Sequence, residues 1–217
     1  MERVAASSLG DDANLFARYV ALVRRLVALA DAVDPAKSLD EPFLVQPAEA
    51  VGFRAAGLDG AIARMRFSRL AELVRLATPS HQGEFEVGGD RGGIVTYDIR
   101  FAPTRRIGWQ FQDSQLRFFI TIEDEGLHGK GLHDKRVEVV ESMYAPFFDH
   151  VDVVIVLGDA LKMYTNTGWL RFDPDFVYRH RPVQKSTSTA RLVDALVTMT
   201  KRVDLFAATF REPLPLE

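Results

Sequence analysis

The chain has 217 residues, of which 47% are hydrophobic, 26% charged and 10% aromatic. That is enough apolar material for one sizeable core and too much for extensive disorder. A formal net charge of −3 supplies no overall attraction to phosphate backbones or anionic lipid, so no nucleic-acid partner is expected. The absence of cysteine excludes disulfides, thiolate nucleophiles and cysteine-held zinc or iron–sulfur sites.

The N-terminus reads Met1-Glu2-Arg3 and soon reaches Asp11-Asp12, which is unlike the basic start and unbroken apolar run of an export signal. From Ala13 to Val33, Leu15, Tyr19, Leu22, Leu26, Leu29 and Val33 recur at alternating intervals of four and three, and Phe16, Val20, Val23 and Val27 widen the stripe. This spacing predicts an amphipathic helix with Asp11 and Asp12 as caps and Asp34-Pro35 as its stop. Arg18, Arg24, Arg25 and Asp31 interrupt it, so no integral membrane segment is expected and the chain reads as cytoplasmic. A face this broad needs a cover, from the body of the protein, another helix or a second copy.

Pro35, Pro42 and Pro47 mark residues 35–47 as a linker. The chain then divides into an N-terminal amphipathic helix over 1–34, the linker over 35–47, and an α+β body over 48–217 that ends in a long helix. Inside the body, Gly60 to Ala77 predicts a second helix, with Ile62, Met65, Leu70, Leu73, Val74 and Leu76 set among arginines and Thr78-Pro79 at its end.

The period then changes. Phe85 to Val87 and Ile94 to Phe101 read as strands joined through Gly88-Gly89-Asp90-Arg91-Gly92-Gly93. Ile107 to Phe111 and Leu116 to Ile122 form a second hairpin around Asp113-Ser114, and Glu123 to Lys135 reads as an exposed loop. Val137 to Ala145 suits a short helix or a strand, and Val151 to Leu157 with Leu161 to Thr165 a third hairpin. Trp169 to Phe172 follows Asn166-Thr167-Gly168, Arg179 to Thr189 reads as a second polar loop, and Ala190 to Phe210 as a final helix on the stripe Leu192, Leu196, Met199, Val203 and Phe206. The fold class is therefore α+β, a mainly antiparallel sheet built from hairpins and packed with N-terminal, middle and C-terminal helices.

Chemistry-bearing residues are few. Glu125, His128, His133 and Asp134 are the candidate metal ligands, because acids and imidazoles share one loop, although the five-residue histidine spacing fits no single helix face. Gly126, Gly129, Lys130 and Gly131 have the wrong spacing for a phosphate loop, and the glycines at 88–93 join two strands rather than a strand and a helix. No Gly-x-Ser-x-Gly elbow occurs, and Ser186-Thr187-Ser188-Thr189 is explained by capping of the last helix. Asp149-His150-Val151-Asp152 places neighbours on different sides of a strand entry. Arg105-Arg106 lies shortly before Trp109 and Phe111, and Arg117 directly precedes Phe118-Phe119, a pattern that in a sheet first means one covered and one wet face. Neither a catalytic group nor a cofactor is implied.

From Glu141 to about Phe206, the hairpin Val151 to Thr165, the corner Phe172-Asp173-Pro174-Asp175-Phe176, the polar stretch and the long final helix resemble a bacterial domain family of unknown function whose members commonly follow paired membrane helices. The resemblance implies no catalytic residue. Two expectations of function remain. The first is a non-catalytic interaction or assembly protein, homodimeric through its two terminal helices. The alternative is a ligand-binding or enzymatic domain with an aromatic pocket between sheet and helices, lined by Trp109, Phe111, Tyr164 and Trp169.

Overall fold

The computed structural model describes residues 3–45, 50–51, 55, 57–89, 92–127, 131–144, 170–172 and 176–210. The expected hairpin from Val151 to Thr165, the segment Asp149 to Asp152, and His128, Tyr164 and Trp169 lie outside them. The described residues form an α+β fold with four long helices and one antiparallel sheet.

Helix α1 spans Arg3–Ala32, longer than its apolar stripe alone predicts. Asp11 and Asp12 do not cap it; the helix runs through them, because Val4 to Leu9 upstream contains no breaker and the single Gly10 costs a helix only about 1 kcal/mol. It ends before Asp34, whose side chain caps a short 3-10 turn at Pro35–Lys37 by accepting from the Ala36 N–H at 2.9 Å. Helix α2 spans Asp59–Ala77 and stops at Thr78, ahead of Pro79, as its sequence predicts.

Strands β1 (Glu84–Gly88), β2 (Ile94–Ala102), β3 (Arg105–Gln112) and β4 (Gln115–Ile122) form a meander of antiparallel hairpins. The β3–β4 turn is two residues long, and Asp113 adopts a left-handed φ of 55° there, a conformation that short-chain Asp tolerates. Helix α3 spans His133–Met143, so the helical alternative holds for this segment, and the expected loop gives way to helix already at His133. Strands β5 (Leu170–Phe172) and β6 (Phe176–Pro182) complete a six-stranded sheet in the order β1-β2-β3-β4-β6-β5.

Strand β6 corrects the expectation of a polar loop from Arg179. Arg179 and His180 pair with Phe118 and Arg117 of β4, a partner more than fifty residues away that local polarity does not reveal. Only the connection to the last helix, α4 (Thr189–Thr209), is loop, and Ser188 caps that helix by accepting from the Arg191 N–H at 3.4 Å.

One face of the sheet is covered. Val95 and Tyr97, Ile107, Trp109 and Phe111, and Leu116, Phe118, Ile120 and Ile122 meet Phe67, Leu70 and Val74 of α2 and Leu192, Leu196, Met199 and Val203 of α4. Gly93 lies flat against the Phe67 ring, where any β-carbon would collide. The opposite face carries Thr96, Gln110 and Arg117; the Arg117 guanidinium donates to the Gln110 and Gln112 side-chain oxygens at 2.9 and 2.6 Å and lies over the Tyr178 ring.

Residues 35–45 are stitched to the body. Phe43 is buried between Phe67 and Phe111, its N–H donates to Thr187 O at 3.0 Å, and the Thr189 and Ala190 N–H groups donate to Glu41 O and Leu39 O, each at 2.8 Å.

Candidate interaction surface

Helix α1 is about 45 Å long at 1.5 Å per residue, and among the described residues the contacts that anchor it lie at its C-terminal foot. Leu29 and Val33 are buried with Ala50 and Ile62 in a small cluster separate from the main core. Arg66 of α2 reinforces the joint: its guanidinium donates to Val33 O at 3.0 Å and to Phe43 O at 2.6 Å and stacks on the Phe43 ring. Burial pulls the Arg66 pKa down, against the charges of Glu41 and Asp34. Arg69 pairs with Asp34 at 3.3 Å, and Lys37 with Asp31 at 2.8 Å. One helix end, the segment 35–45 and α2 thus meet at one joint.

Above the joint, most of the apolar face that is described is bare. Leu15, Phe16, Tyr19, Leu22, Val23, Leu26 and Val27 are 38–68% exposed, most of them more than half. Exposed apolar patches beyond a few hundred Å² are unusual on a monomer and mark contact surfaces. At the foot, a groove of about 490 Å³ between α1 and α2, lined by Ala30, Val33, Met65, Arg64, Arg69 and Glu72, continues this surface onto the body.

The stripe of α4, expected to share an interface with that of α1, is already occupied. Leu192, Leu196, Met199 and Val203 are at most 2% exposed and cover the sheet. The two stripes have the same spacing and opposite environments.

The aromatic candidates that are described meet protein. Trp109 and Phe111 are fully buried; the Trp109 indole N–H donates to Thr200 Oγ1 at 3.1 Å, and Phe111 stacks on Phe67. Strand alternation places Trp109, Phe111 and Phe118 on the helix-covered face and Arg106 and Arg117 on the other, where Arg117 lies over the Tyr178 ring.

Of the candidate metal ligands, Glu125 is exposed, His133 opens α3, and Asp134 is exposed in its first turn. Among the described residues no group of three or more His, Asp or Glu side chains is placed to hold a metal ion.

One ionic and one hydrogen-bonded cluster had no sequence signal, because their members are distant in the chain. Arg105 donates to both Asp124 oxygens and, at 2.6 Å, to the Tyr144 hydroxyl, while Thr104 also donates to Asp124. Burial alone raises the Asp124 carboxyl, but hydrogen bonds from Arg105 and Thr104 and the Arg105 charge outweigh it and hold the pKa below the ordinary value. Tyr97 donates to Asp204 and accepts from the Gly83 N–H; burial first, then the bond to Asp204, push its phenol pKa upward. Both clusters tie one element to another.

Among the described residues no helix is long and apolar enough to cross a membrane. Comparison of the chain with protein-family models, characterised proteins and solved structures finds no match.

Proposed function

We propose that this chain is a non-catalytic assembly protein, acting in the cytoplasm, that associates with further copies of itself through α1. One observation carries the reading: seven large apolar side chains stand exposed on a helix that is anchored at its foot. Fully burying such side chains is worth about 1.5–3 kcal/mol each, which corresponds to about 100 Å² apiece. Seven of them supply roughly 700 Å² per copy, close to the ~800 Å² per partner of a stable interface.

The alternating spacing of Leu15, Tyr19, Leu22 and Leu26 suits the knobs-into-holes packing of helix on helix. A lipid surface is the weaker occupant, since the net charge of −3 gives no overall attraction to an anionic bilayer. Because the stripe of α4 is committed to the sheet, the reading rests on α1 alone.

Light scattering on the full chain tests it. The wild type should weigh a multiple of the chain mass, and the double variant Leu22→Glu, Leu26→Glu should run as a monomer with unchanged circular dichroism. A wild type that stays monomeric at roughly 100 μM, far above a micromolar dissociation constant, overturns the reading, as does a monomer that binds anionic vesicles instead.

A further inference from the structure

Helix α1 carries two apolar stripes. The first is Leu15, Tyr19, Leu22 and Leu26, continuing into Leu29 and Val33; its foot packs on Ile62 of α2. The second is Phe16, Val20, Val23, Val27 and Ala30, with the same alternation of four and three. It is displaced by one residue, hence by about 100° around the helix axis. Its foot is not taken up by the body: Ala30 is exposed, as are Phe16, Val23 and Val27, and Val20 is half-buried.

Two charged flanks bracket the pair of stripes, Arg18 and Arg25 beside the first, Arg24 and Asp31 beside the second. The apolar face therefore spans about half the circumference, wider than the seam of a two-stranded coil. Pairing through the first stripe alone would leave Phe16, Val23 and Val27 in water, roughly 300 Å² at the per-residue area used above.

Resting on the self-association proposed above, we infer that each α1 takes two neighbours of its own kind, so that the arms close into a bundle of more than two helices. Two contact faces about 100° apart match the corner of a square of four helices, where neighbours meet at about 90°, and closed arrangements of this kind are the usual end point of repeated contacts. The partner is then a second and a third copy of the chain, each covering one stripe.

Native mass spectrometry and light scattering on the full chain separate this inference from the reading it rests on. The wild type should be a trimer or larger, with four copies expected, and the double variant Val23→Gln, Val27→Gln, which leaves the first stripe intact, should fall to a dimer or monomer with unchanged circular dichroism. A wild-type dimer overturns the two-neighbour inference and leaves self-association standing. A wild-type monomer overturns both. A wild-type bundle whose mass the Val23 and Val27 substitutions do not change overturns the role of the second stripe.

Discussion

At the scale of single residues, buried polar groups in this protein are placed where they tie distant segments together. Thr200 sits inside α4, fully buried; its hydroxyl accepts from the Trp109 indole and donates to Leu196 O at 2.9 Å. Thr200→Val keeps the shape and strands the indole N–H in an apolar site, which should cost about 1–3 kcal/mol. A lower urea midpoint with unchanged slope would show it. Asp124 links β4 to β3 and, through Arg105, to Tyr144. Its pKa is lowered on folding, so the folded state binds fewer protons than the unfolded one as the pH falls towards the ordinary carboxylate value near 3.9. The stability it contributes is present above that pH and lost below it. Asp124→Asn should therefore be less stable than the wild type at pH 7, and the gap should narrow as the pH falls below about 4, as read from urea midpoints at each pH.

At the scale of elements, α1 and α4 invite comparison because their apolar spacing is the same. Among the described residues α4 has a sheet opposite it and α1 does not, although both begin from a 4–3 stripe. What holds α1 away from the sheet is the joint: Leu29 and Val33 on Ile62, Arg66 on two backbone carbonyls, and the strap that ties residues 39–43 to the start of α4. A chain beginning at residue 28 keeps all of these contacts. It should retain the melting temperature of the monomeric Leu22→Glu, Leu26→Glu protein to within a few degrees, since exposed positions contribute little to folding, and it should be monomeric by light scattering. A body that unfolds on this truncation would show that α1 stabilises the fold rather than the assembly.

At the scale of the whole molecule, the α+β arrangement was legible because period is a local property. The strands of the meander alternate and the helices repeat every three to four residues, and the boundaries of α2 and α4 follow from Thr78-Pro79 and Ser188. Strand β6 was not legible, because Tyr178 and His180 share a face with Arg117 and the strand is defined by a partner distant in the chain. The candidate surface was half legible: the sequence by itself determined that α1 has an apolar face too wide to stand alone in water. Only the tertiary structure decided which terminal helix spends that face on its own sheet and which keeps it bare. Periodicity describes what one helix offers, whereas burial depends on what the rest of the chain brings opposite, and in this protein the Arg66 joint holds only the foot of α1 while Tyr97 and Trp109 lie beneath α4.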